Sequence, residues 1–225
     1  EEECSDFKRE LDTLFSRDKF RLASIGLEHA ILCYANLVNG IVATPYAIMI
    51  DEEIKKIVIA VRGTRSLEDL VVDVQFVPES LEKVGRVCGF QGGDYYSHKG
   101  FLARSKWMYN DIKKCKILNT LYSEQSPFKG YDLALCGHSL GAGCASILSL
   151  MLRPSFPLVQ CFAYEPPGCI FDDELAGKSA DFITSFVRHD DLVPRLSYHN
   201  FETLRDEFSM HLQGSKYPKL SFIFI

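Results

Sequence analysis

Gly137-His138-Ser139-Leu140-Gly141 has the residue types of a turn that presents a hydroxyl for covalent attack on a carbonyl carbon. A serine hydroxyl is a weak nucleophile, so the chemistry demands a strained backbone that turns it outward, a base to take its proton, and donors for the oxyanion. Glycine two positions before and two after the serine fits for steric reasons, because a side chain there would meet the neighbouring strand or helix. An ordinary glycine-rich turn would leave Ser139 and both glycines at these spacings unexplained.

Such a turn needs a strand before it and a helix after it, and both are readable. Leu133-Ala134-Leu135-Cys136 is a short apolar run with strand character, and Ala142 to Leu152 is rich in small residues and then in leucine, as a buried helix would be. A helix that starts beside Ser139 leaves unpaired N–H groups and a positive dipole end where an oxyanion would form. Pro154 and Pro157 close the helix.

Further strands follow on either side. Pro45 to Ile50 and Ile54 to Val61 read as a hairpin-like pair joined at Asp51-Glu52-Glu53, and the second runs into Arg62-Gly63-Thr64. Thr64 could supply a second oxyanion donor there, although Arg-Gly-Thr alone describes only a turn. Val159 to Glu165 and Ala180 to Val187 read as strands after the serine, the latter leading into Arg188-His189-Asp190-Asp191-Leu192-Val193-Pro194-Arg195. A triad acid belongs at that strand end, with chain order Ser, acid, His. By position Asp190 and Asp191 are both candidates.

The base is harder to find. Past Asp191 the chain holds His199 and His211, both on an expected helix over Ser197 to Gln213. His138 and His189 are badly directed by their turns, and His29 and His98 read as packing or capping residues. The expectation is therefore a histidine beyond Ile225 in a longer chain, with His211 and His199 as secondary candidates.

The remaining stretches carry less chemistry. Phe7 to Phe20 and Ala23 to Asn36 read as N-terminal helices packed outside the core, and Leu67 to Val77 as a helix over the site. Gly85 to His98 reads as a long loop, either a mobile cover or plain surface. A helix is expected from about Leu102 to Ile117 and a last strand from Leu220 to Ile225. The acidic run Asp172-Asp173-Glu174 reads as a solvated turn rather than a calcium site.

At 225 residues the chain can bury one sizeable core, so a single α/β domain over residues 1–225 is the default. A net charge of −5, without a basic stretch, argues against a nucleic-acid partner. No apolar run reaches the roughly 18 residues that would span a bilayer. The eight cysteines are scattered without zinc spacing, which favours a reducing intracellular setting. The first residues, Glu-Glu-Glu-Cys, have no features of a signal peptide and read as the start of a cut or processed chain.

Taken together and in order, Val58-Ile59-Ala60-Val61-Arg62-Gly63-Thr64, His98-Lys99-Gly100, Gly137-His138-Ser139-Leu140-Gly141, Ala163-Tyr164-Glu165-Pro166-Pro167 and Asp191-Leu192-Val193-Pro194-Arg195-Leu196 resemble the class 3 lipases. Within that group the resemblance is to the catalytic domain of sn-1-specific diacylglycerol lipases. It implies an α/β-hydrolase fold, a mostly parallel sheet with helices on both faces. It also implies Ser139 as nucleophile, Asp191 rather than Asp190 as acid, and Thr64 and Leu140 as oxyanion donors. The expected reaction is hydrolysis of diacylglycerol to 2-monoacylglycerol and a fatty acid. The expected setting is a lipid interface on the cytoplasmic side of a membrane, with calcium as a family-implied ion. Phospholipase A1 or galactolipase activity, or a lipid-binding domain without turnover, are the competing readings. One departure is Ala142-Gly143, where many relatives have Gly-Gly.

Overall fold

The computed structural model describes residues 30–36, 43–63, 77–168, 170–195 and 197–214. Its centre is a six-stranded sheet in the order β1-β2-β3-β6-β7-β8. The strands are β1 (Ala30–Asn36), β2 (Tyr46–Asp51), β3 (Lys56–Val61), β6 (Asp132–His138), β7 (Gln160–Tyr164) and β8 (Ile183–Phe186), while β4 (Pro78–Ser80) and β5 (Tyr96–His98) form a separate antiparallel ribbon. The first three strands of the main sheet run antiparallel and β3, β6, β7 and β8 run parallel.

Alternation decides which side of β2 and β3 is buried. Ile48, Ile50, Ile57 and Ile59 have no solvent exposure, whereas Ala47, Met49, Val58 and Ala60 between them are half-buried. Against the buried face lies α4 (Leu140–Leu152), every residue of which is buried. A helix apolar all round is the signature of a core element. Its small residues admit α2 (Lys99–Cys115) closely: the ring of Phe101 stands 3.3 Å from where a Cβ on Gly143 would lie, and Ser105 Oγ donates to the Cys144 carbonyl at 3.0 Å.

Several expectations are corrected. Ala30–Asn36, the end of the expected second helix, is the edge strand β1, pairing antiparallel with β2. An unbroken apolar run suits strand and helix alike, and the partner strand decides. The expected loop over Gly85 to His98 instead contains the end of α1 (Glu82–Cys88) and all of β5. Gly85 is there because a Cβ would stand 2.5 Å from the Phe90 carbonyl oxygen, so its glycine marks close packing. The Asp172 run begins α5 (Asp173–Ser179), with Asp172 as its N-cap. The helix expected over Leu102 to Ile117 starts earlier and breaks at Lys116, whose φ of 54° separates α2 from α3 (Ile117–Leu121).

The helix expected over Ser197 to Gln213 is α6 (Tyr198–Gly214). The expected elements over 7–20, 67–76 and 220–225 lie outside the described residues. Among the described residues no helix is long and apolar enough to cross a membrane.

Candidate active site

Ser139 sits between β6 and α4 with φ 56° and ψ −126°, a conformation that L-residues rarely adopt. The surroundings hold it there. Its N–H donates to the Tyr164 carbonyl at the end of β7 (2.9 Å), and its own carbonyl accepts from Ala142 (2.9 Å) and Gly143 (3.2 Å) in the first turn of α4. A Cβ on Gly137 would be driven into the Gly141 carbonyl, and one on Gly141 into the Val61 carbonyl of β3. The turn is therefore closed from both sides by backbone, which no side-chain movement can relieve. Gly63 joins this packing, since a Cβ there would stand 2.7 Å from the His138 carbonyl oxygen.

Leu140, the first residue of α4, is buried, and its N–H has no i−4 acceptor inside the helix. Its backbone thus lies at the positive end of a 13-residue helix directly after Ser139. Thr64, the other expected donor, lies outside the described residues.

The acid candidates lie on the same edge of the sheet. His138, Tyr164 and Phe186 are in register across β6, β7 and β8, so the loop after Phe186 rises two strand spacings, roughly 10 Å, from the Ser139 turn. Asp191 is half-buried and its Oδ1 accepts from Val193 N at 2.8 Å, which starts the 3-10 turn Val193–Arg195. Its N–H closes a turn onto the Arg188 carbonyl (3.1 Å). Asp190 is fully exposed, with Arg195 at 3.5 Å as its ion partner. The two neighbours are thus physically distinct: one is built into the loop and the other faces solvent.

The histidines divide as follows. His98 is the N-cap of α2, its Nδ1 accepting from Phe101 N at 3.4 Å, which matches the capping expectation. His211 is exposed and its Nδ1 lies 2.8 Å from the Glu207 carbonyl one turn back on α6. His189 is held at φ 45° while its carbonyl accepts from Arg195. Among the described residues no histidine is hydrogen-bonded to Ser139 or Asp191. The side chain of His199 and all of His29 lie outside the described residues.

A further acidic residue stands at this edge. Glu165 directly follows β7 with φ 46°, and its Oε1 accepts from Arg188 N at 2.7 Å. Beside it Tyr164 and Phe186 stack at 4.9 Å, and with Val187 and Leu192 they leave an apolar rim 43% to 67% exposed. Burial pushes the Cys161 thiol on β7 up to about 12 and raises that of Cys136 on β6, so neither thiol is a nucleophile. The described cysteines 88, 115, 136, 144 and 161 carry no disulfide.

Among the described residues no group of three or more His, Cys, Asp or Glu is placed to hold a metal ion. In the acidic run Asp172 Oδ1 accepts from Leu175 N at 2.9 Å and Oδ2 from Tyr96 N at 2.6 Å, so its carboxylate is bonded to two backbone N–H groups.

The family described as Lipase (class 3) matches residues 58–201. The chain belongs to the class 3 lipases. Human diacylglycerol lipase-alpha is 33% identical over 194 residues, 85% of this chain and 18% of that protein. Mouse diacylglycerol lipase-beta is 30% identical over 202 residues, 90% of this chain and 29% of that protein. The chain thus spans less than a third of the length of either relative. Among solved structures, a mutant form of MDLA from Penicillium cyclopium superposes with a TM-score of 0.65 at 23% identity, covering 89% of this chain and 76% of that one. The native Rhizomucor miehei lipase propeptide complex gives 0.62 at 19% identity, covering 89% and 65%. The shared fold is the α/β-hydrolase fold, as the motifs imply.

Proposed function

We propose that this chain is the catalytic domain of a serine lipase that cleaves the sn-1 ester of diacylglycerol, releasing a fatty acid and 2-monoacylglycerol. The observation that carries the reading is the backbone of Ser139, held in a rare conformation between a parallel strand and the N-terminus of a buried helix. Strain of this kind costs on the order of 1–3 kcal/mol and persists only where the surroundings impose it.

In this mechanism Ser139 Oγ attacks the ester carbonyl as a histidine removes its proton. Asp191, with Oδ1 already bonded to Val193 N, turns Oδ2 to that histidine and holds its tautomer. The tetrahedral oxyanion takes hydrogen bonds from the N–H groups of Leu140 and Thr64. Collapse expels the glycerol oxygen, which receives the proton, and water then hydrolyses the acyl-serine by the same steps. The exposed rim of Tyr164, Phe186, Val187 and Leu192 beside the serine supports a substrate presented at a lipid surface; the cytoplasmic side of a membrane is the side that the family resemblance implies.

The test is active-site labelling of the natural full-length protein with a fluorophosphonate, together with product analysis. Labelling should vanish in Ser139→Ala, and diacylglycerol should give 2-monoacylglycerol in preference to cleavage of phospholipid or galactolipid. Labelling that survives Ser139→Ala defeats the nucleophile, and a preference for phospholipid defeats the substrate.

A further inference from the structure

Glu165 has more constraints placed on it than a surface carboxylate at a strand end requires. Its φ of 46° is unfavourable for a residue with a side chain. Its N–H donates to the Phe186 carbonyl at 2.8 Å, and its Oε1 accepts from Arg188 N at 2.7 Å. One residue therefore ties the end of β7 both to the last residue of β8 and to the start of the loop that ends at Asp191. The residue before it, Tyr164, accepts the Ser139 N–H. A continuous path of two backbone hydrogen bonds and one to the Glu165 side chain thus runs from the serine turn through Tyr164 and Glu165 to the acid loop.

Its other oxygen, Oε2, is enclosed and has no hydrogen-bond partner. Enclosing a carboxylate oxygen without a donor is costly, so simple structural selection would favour a residue without it. The side chain is nevertheless held there by the Arg188 N–H bond to its Oε1.

We infer that Glu165 is a positioning residue of the active site, which fixes the Arg188–Asp191 loop, and with it the acid carboxylate, relative to Ser139. The inference rests on the assignment of Ser139 and Asp191 proposed above. Without the Arg188 N–H to Oε1 bond the loop keeps its internal turns, Asp191 N to Arg188 O and Val193 N to Asp191 Oδ1, and the Gly168 N to Val193 O bond at its far end, but its start loses the tie to Glu165. Asp191 then samples positions from which it orients the base less often, and turnover falls while substrate binding is retained.

The experiment compares Glu165→Ala and Glu165→Gln in the natural full-length protein, on a soluble fluorogenic ester. Losing one loop-fixing hydrogen bond should lower kcat about tenfold in Glu165→Ala, with KM within about twofold. Glu165→Gln should return kcat to within about threefold of wild type, because an amide oxygen accepts from Arg188 N as the carboxylate does. Amide exchange at Arg188 should quicken in Glu165→Ala and not in Glu165→Gln, and this reading does not depend on activity. Wild-type kcat in Glu165→Ala overturns the inference, as does a Gln variant no better than Ala. Should Glu165→Ala fail to fold, Glu165→Gln against Glu165→Ser makes the same comparison, since serine cannot reach Arg188. A wild-type protein that cleaves no ester and takes no fluorophosphonate defeats the lipase reading instead.

Discussion

At Ser139, the proposed nucleophile, the demands of chemistry and of stability are opposed, and two substitutions separate them. Both Ser139→Ala and Ser139→Gly remove the hydroxyl and should lower ester hydrolysis by several powers of ten. They differ only in Cβ, which at φ 56° is the source of the backbone penalty. Ser139→Gly should therefore be more stable than Ser139→Ala by about 1–2 kcal/mol, read from the urea midpoint of each. Equal midpoints would mean that the turn is not strained. The glycine spacing was legible because steric exclusion leaves a direct trace in residue type. Choosing between Asp190 and Asp191 was beyond spacing, since both sit on the same loop and only the turn through Val193 N separates them. Glu165 left no trace beyond its place before Pro166-Pro167, because a left-handed φ on glutamate has no sequence signature.

Elements with a distinctive pattern of their own were legible, and those whose form is decided by a partner were not. The hairpin of β2 and β3 follows from alternation and a short connection, and α4 from its small apolar composition. By contrast β1 takes its strand form from β2, and β5 pairs with β4 some 16 residues earlier while its Tyr96 N–H reaches Asp172. Asp172 joins two such distant elements. It caps α5 through Leu175 N and holds β5 through Tyr96 N. Asp172→Ala should cost about 2 kcal/mol in chemical denaturation, more than the loss of a cap alone, and Asp172→Asn distinctly less. A cost below about 0.5 kcal/mol would show that the link between ribbon and helix is not structural.

For the whole molecule, the buried thiols set an alkaline limit. Burial raises Cys161 from its ordinary value of 9.0 to about 12, with Cys136 and Cys88 also raised by burial. Between those values the unfolded chain has released the proton that the folded chain keeps, so stability falls as pH rises from 9 toward 12 and is unaffected below. The urea midpoint should decline over that window, and Cys161→Ala should flatten the decline while lowering stability at neutral pH. The parallel pairing of β3 with β6 has a further consequence for synthesis. Residues 62–131 intervene between them, and at about 5–20 residues per second the ribosome takes roughly 4 to 14 s to deliver that stretch. For that interval the nascent Ile57-Val58-Ile59 edge has no β6 to pair with, so yield in cells should depend on chaperones that hold extended apolar chain.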